Sequence, residues 1–178
     1  KKLILMTHYG RPKNKDQKYS TKIFIKTLQA YLRINNICFL ENGFCTTNEE
    51  LHANDSVVCL MENVRFHDFE TSPNNIDTIQ FHIDIFCNEA FSASHRDHYS
   101  ITRMNTPIHC YGYCFIKEIE TFNMILKNNG GVITAIIGGS KVSDKMPMLE
   151  KLSTIVDYIF VAGNNLNSIQ ENSDFFNK

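Results

Sequence analysis

Three of the five arginines in this chain stand where a short apolar run gives way to a loop: Arg11 in "THYGRP", Arg65 in "MENVRFH" and Arg96 in "NEAFSASHRDH". The planar guanidinium fork donates two parallel hydrogen bonds and so matches carboxylate and phosphate. Histidines accompany them: His8, His67, His95 and His98 lie in the same loops. A fourth loop, "IIGGSKVSDK", adds Gly139, Ser140, Lys141 and Lys145. Taken singly, each feature has a bland reading. An arginine beside a strand is often a surface ion pair, and a histidine is often a satisfied structural group. "GGSK" has neither of the usual glycine-loop spacings, and His95 with His98 lacks a third ligand at metal-binding spacing. Their coincidence at four loop positions points instead to a small polyanion.

The elements that would present these loops are legible in the hydrophobic pattern. Strand-like runs occupy residues 3–6, 57–60, 83–87, 132–137 and 159–162, with a weaker one at 37–40. They show little polar alternation, which predicts burial on both faces in a parallel sheet. Helical patterns lie between them. "STKIFIKTLQAYLRINN" is predicted as a helix capped by Ser20, with Phe24, Leu28, Tyr31 and Leu32 on its apolar stripe. "EIETFNMILKNNGG" offers Ile119, Phe122 and Leu126 on one face and Gly130–Gly131 as its stop. "SDKMPMLEKLSTIVD" turns Leu149, Leu152, Ile155 and Val156 inward, with Pro147 in its first turn. Alternating strands and helices predict an α/β fold, and ligands of open α/β sheets sit beyond the carboxyl ends of the strands. All four loops would be at such ends.

Composition narrows the classes. Of 178 residues, 43% are hydrophobic and 21% charged, the balance of a globular protein of one domain or slightly more. A net charge of -1 gives no general reason to expect nucleic acid or a membrane surface as partner. No apolar stretch approaches the roughly 18 residues needed to span a bilayer. The six cysteines follow no zinc-ribbon spacing, and no secretory or lipidation signal is visible. Reduced thiols in a cytoplasmic protein are the expectation. Lys1 opens directly on a strand pattern, from which a middle portion of a longer chain is expected.

The sequence resembles the phosphoglycerate kinase family in "LILMTHYGRPK", "KYS", "LMENVRFH", "NEAFSASHRDH" and "AIIGGSKVSDK", in the family's order, over about residues 2–169. The resemblance implies a parallel-sheet, Rossmann-like three-layer sandwich, here incomplete. Implied domains are a partial phosphoglycerate-binding domain at 1–117, a hinge helix at 118–131 and the start of a nucleotide-binding domain at 132–178. It further implies reversible phosphoryl transfer between 1,3-bisphosphoglycerate and ADP, giving 3-phosphoglycerate and ATP in glycolysis, with Mg2+ on the nucleotide and a monomeric protein. His8, Gly10, Arg11, Arg65, His95 and Arg96 would bind the phosphoglycerate. Gly139, Ser140, Lys141, Lys145 and Gly163 would lie along the nucleotide, Lys141 also stabilising the phosphoryl group in transfer.

Departures from the family pattern accompany the matches. The family's opening strand and its credited catalytic arginine precede anything present here, which predicts an unpaired sheet edge. Ala162 and Asn164 stand in a triple-glycine motif, and Glu89, Ser92 and Asp97 replace aspartate, glycine and alanine. Asp97 beside Arg96 is expected to weaken anion binding. These changes frame the alternative: a truncated or diverged, non-catalytic relative that binds a phosphorylated acid at most. The 178 residues alone are expected to be poorly stable and inactive.

Overall fold

The computed structural model describes residues 1–72, 79–127, 130–138 and 146–162. The chain forms two compact units, Lys1–Phe115 and Ile116–Lys178.

The first unit is built on a parallel sheet ordered β1 (Leu3–Leu5), β3 (Val58–Met61), β2 (Ile37–Leu40). Leu3 and Ile37 both stand opposite Val58, so β3 is hydrogen-bonded on both edges. Its four residues "VCLM" are all buried, as expected of a central parallel strand. On one face Val58 and Leu60 pack with Ile37 against Phe24, Ile25 and Leu28, the last two from helix α1 (Ile25–Leu32). On the other, Cys59 and Met61 meet Leu51 of α2 (Asn48–His52), Phe69 of α3 (Asp68–Thr71) and Tyr99 of α4 (Tyr99–Thr102). Phe44, Phe69 and Tyr99 form edge-on and tilted ring pairs there, with centroids 4.9–5.5 Å apart. Each such side chain, fully buried, contributes about 1.5–3 kcal/mol. A second parallel pair, β4 (Ile85–Asn88) and β5 (Ile108–Tyr111), joins this core through Phe86. Helix α5 (Tyr113–Leu126) follows.

In the second unit β6 (Thr134–Ile137) pairs in parallel with β7 (Tyr158–Val161). Ile137 and Leu149, the latter from α6 (Met146–Ser153), are its buried apolar residues, flanked by Leu152 and Ile159. The fold is therefore α/β with parallel sheets. Among the described residues no helix is long and apolar enough to cross a membrane.

Several local expectations are corrected. Ser20 caps a 3₁₀ turn (Thr21–Phe24), accepting from the Lys22 amide, and the α-helix begins only at Ile25. Tyr31 and Leu32 are exposed, because the helix closes at Arg33 in the left-handed conformation and Ile34 takes the place against the sheet. Ile155 lies beyond the end of α6 and is exposed. Ile119, Phe122 and Leu126 of α5 are exposed as well. Burial on both faces holds for β3 but not for β4, β6 or β7, each of which leaves alternate residues exposed, and β5, a strand the pattern did not predict, is exposed throughout.

Candidate anion-binding site

The site grows from the turn that leaves β3. Glu62 is almost fully buried, yet its carboxylate is met on all sides. It accepts from Ser20 Oγ at 2.7 Å, from the Thr21 amide at 2.9 Å and from the Asn63 amide at 2.7 Å. Thr21 Oγ1 gives its single proton to the carbonyl of Met61 at 2.7 Å, the shorter of its two contacts. A buried carboxylate is tolerated only when so satisfied, and this one fixes the 20–21 segment onto the end of β3.

Asn63, fully buried, performs the same task toward β1. Its amide nitrogen donates to the carbonyls of Tyr9 and Tyr19, both at 2.8 Å. Its Oδ1 accepts from the Arg65 amide at 3.1 Å and so opens the 3₁₀ turn Val64–Phe66. Arg65 then reaches the β1 loop itself, Nη1 donating to the Gly10 carbonyl at 2.7 Å. Gly10 sits at φ 66°, and a Cβ there would fall 2.6 Å from the Tyr19 ring, so glycine is required twice over. From β4, the Asn88 side chain accepts from the Ala90 amide at 2.9 Å and starts the loop to Arg96.

These three loops enclose a cavity of about 310 Å³ lined by His8, Gly10, Arg11, Arg65, Ser92, Ala93 and Arg96. Its electrostatics are one-sided. Burial depresses His8 below the usual histidine value, and the charges of Arg65, His98 and Arg96 push it further down. Arg65 is lowered by burial and then by Arg96 and Arg11. His98 is lowered by burial, then by Arg65, Arg96 and His95. Its Nδ1 lies 3.4 Å from Glu70 Oε1, but burial raises Glu70 and weakens it as a counter-ion. Arg65 Nε is buried without a hydrogen-bond partner among the described residues. The positive charges of Arg11, Arg65 and Arg96 gathered at one cavity favour an anion there.

Of the residues expected to bind the phosphoglycerate, His8, Gly10, Arg11, Arg65 and Arg96 line the cavity, whereas His95 is exposed and outside the lining. Gly139, Ser140, Lys141, Lys145 and Gly163 lie outside the described residues. Ser92 and Ala93 border the cavity although sequence reasoning did not place them there. Asp97 is engaged elsewhere, accepting from Thr102 Oγ1 at 2.6 Å and standing 3.4 Å from Arg103. Its charge still reaches the site, raising His98 against the neighbouring arginines. His67 is structural: its Nε2 accepts from the Phe44 amide and its ring packs on Phe44 and Phe69. Among the described residues no three His, Cys, Asp or Glu side chains gather to hold a metal.

Against known proteins, the family model of phosphoglycerate kinase matches residues 1–174. The chain belongs to the phosphoglycerate kinase family. The phosphoglycerate kinase of Wolbachia pipientis subsp. Culex pipiens is 34% identical over 184 residues, covering 99% of this chain and 45% of that protein. The Helicobacter pylori phosphoglycerate kinase is 33% identical over 168 residues, covering 92% and 41%. Among solved structures, phosphoglycerate kinase from Coxiella burnetii superposes with a TM-score of 0.70 at 25% identity, over 97% of this chain and 44% of that one. The Pyrococcus horikoshii phosphoglycerate kinase, at 21% identity and a TM-score of 0.75 over 97% and 46%, supports the fold. The chain thus spans less than half the length of the phosphoglycerate kinases it matches.

Proposed function

We propose that this chain supplies the acid-substrate site of a phosphoglycerate kinase, which transfers a phosphoryl group reversibly between 1,3-bisphosphoglycerate and ADP in glycolysis. The observation that carries the reading is the convergence of His8, Arg11, Arg65 and Arg96 on one cavity, with Arg65 Nε buried and unpaired. Within it, residues 1–117 are the phosphoglycerate-binding domain, 118–131 the hinge helix and 132–178 the start of the nucleotide-binding domain.

The arginines bind and orient a ligand carrying both phosphate and carboxylate, since two planar forks fix it better than point charges do. His8, lowered by burial and the nearby positive charges, can donate or accept at the ligand, and a bound anion favours its protonation and that of His98 behind it. His95 adds positive charge at the rim. Phosphoryl transfer depends mainly on positioning and neutralisation of charge. When bound, ADP would accept the phosphoryl group and ATP would donate it in the reverse direction, with Mg2+ supplying part of that neutralisation. Gly139, Ser140, Lys141, Lys145 and Gly163 would lie along the nucleotide, with Lys141 stabilising the group in transfer.

Calorimetric titration of the purified chain with 3-phosphoglycerate tests the site. Saturable binding is expected, with affinity reduced at least tenfold by Arg65→Ala, equivalent to roughly 1.4 kcal/mol. No heat and no thermal shift at millimolar ligand would sink the reading. Turnover is tested separately, by a coupled ATP assay on the whole protein that carries this chain.

A further inference from the structure

Two pairs of cysteines stand side by side on neighbouring parallel strands. Cys38 of β2 is in register with Cys59 of β3, and Cys87 of β4 with Cys110 of β5. Paired residues of parallel strands project to the same face, so each pair brings two thiols together. Their surroundings differ sharply. Cys59 is wholly buried, and burial with the neighbouring Cys38 pushes its thiol up to about 11. Cys87 and Cys110 are both exposed. They share the sheet face with exposed Ile85 and Ile108, while Phe86 and Asn88 point into the core from the other side. Burial and then the neighbouring Cys110 raise the Cys87 thiol above its ordinary value, in a pair that stays open to solvent.

We propose that Cys87 and Cys110 form a site of reversible oxidation, closing to a cross-strand disulfide on exposure to a hydroperoxide. Strand spacing of about 4.8 Å falls inside the Cα separation of roughly 4.4–6.8 Å that a disulfide accepts. The step balances. One thiolate attacks a peroxide oxygen, the O–O bond breaks, and water or an alcohol departs, leaving a sulfenic acid. The second sulfur attacks that centre, an S–S bond forms, the S–O bond breaks, and the departing hydroxide takes up the second thiol's proton as water. Two thiols lose two electrons and two protons, and the peroxide is reduced to water and an alcohol, or to two waters. Two molecules of glutathione in succession, or one dithiol, reverse it by exchange through a mixed disulfide. The buried pair has the same register but not the access to solvent that chemistry needs.

The location gives the reaction a local consequence. Cys87 precedes Asn88, whose carbonyl accepts from the Gly112 amide at 3.0 Å and whose side chain starts the loop to Arg96. A bond between Cys87 and Cys110 fastens the strand ends from which that loop departs.

The test is oxidation of the purified chain with a small excess of hydrogen peroxide, followed by alkylation, chymotryptic digestion and mass spectrometry. Cleavage at Tyr111 and Tyr113 separates Cys110 from Cys114. The expected product is an intramolecular Cys87–Cys110 linkage, reversed by dithiothreitol, forming faster at pH 9 than at pH 7, while Cys38 and Cys59 stay reduced. Cys87→Ser and Cys110→Ser each abolish it. In denaturant the preference over Cys38–Cys59 disappears, which shows that the fold selects the pair. Separate adducts on Cys87 and Cys110, a Cys87–Cys114 link, or only intermolecular dimers would overturn the proposal. So would equal oxidation of both register pairs in the folded chain.

Discussion

The side chain of Asn63 holds the backbone of Arg65 in place: its Oδ1 accepts from the Arg65 amide at 3.1 Å, while its nitrogen donates to the carbonyls of Tyr9 and Tyr19. One buried amide therefore sets the separation between Arg65 and the loop that carries Gly10 and Arg11.

Removing it should cost both stability and binding. Asn63→Ala leaves two partly buried carbonyls and one amide without their partner, a loss of about 1–3 kcal/mol for each group that water fails to reach. Urea unfolding is expected to show a clear fall in midpoint, with 3-phosphoglycerate affinity reduced even where the variant is fully folded. Asn63→Asp should be worse than alanine, because a carboxylate would face two carbonyl oxygens. Wild-type stability in Asn63→Ala would show that the network has no such role.

The histidines predict a pH signature that can be read without a titrating ligand. Burial first, and then positive neighbours, hold both His8 and His98 below their ordinary value. The folded state thus binds fewer protons than the unfolded chain, so their contribution to stability is present above about pH 6.5 and declines as pH falls below it. A bound anion offsets Arg65 and Arg96 and raises both histidines, so binding takes up protons. Sulfate keeps its charge through this range, and its stabilising effect should be larger at pH 5.5 than at pH 7.5. The increment should shrink in His8→Gln. Calorimetry in buffers of different ionisation enthalpy measures the uptake directly, and release of protons on binding would contradict the electrostatics.

Glu89 carries a third prediction. Its carboxylate accepts from the amides of Cys114 at 2.9 Å and Phe115 at 3.2 Å, capping the first turn of α5. These backbone hydrogen bonds hold it below the ordinary glutamate value. Its contribution is therefore present above the unfolded pKa and lost as pH falls through the folded one. Gly112 leaves the space: a Cβ there would sit 1.9 Å from Glu89 Oε2. Glu89→Ala and Gly112→Ala should each lower the melting temperature at pH 7, and the double variant should lose less than the sum, since both break the same cap. Additive losses would separate the two residues.

Much of the fold was legible because β1, β2, β3, β6 and β7 are apolar runs bounded by loop residues. Strand β5 was not, since "IHCY" alternates nothing and buries nothing. Its position follows from pairing with β4, a relation between distant segments that no local pattern encodes. The apolar stripe of α1 was overextended through Tyr31 because a 3₁₀ turn at Thr21–Phe24 shifts the phase of the helix that follows it. The arginines of the cavity could be found from their types and their places after apolar runs. The buried Glu62 and Asn63 that aim them carried no comparable signal, since a polar residue after a strand looks the same whether it faces water or holds three loops together. Ser92 and Ala93 come to the cavity through the 3₁₀ turn Phe91–Ala93, a local shape rather than a chemical type.

Among the described residues strand β1 is one of the two edge strands of its sheet, β2 being the other. It pairs only with β3, Leu3 opposite Val58, after the whole of β2 has intervened. Closing so long a loop costs more entropy than the shorter crossovers that join β2 to β3 and β4 to β5. The core between α1, β2 and β3 can assemble without β1, so β1 should be the last strand to dock and the first whose amides exchange with solvent. His8, Gly10 and Arg11 travel with it. Capture of an anion and docking of β1 are consequently coupled, and a ligand that bridges Arg11 to Arg65 acts as a clasp on that strand.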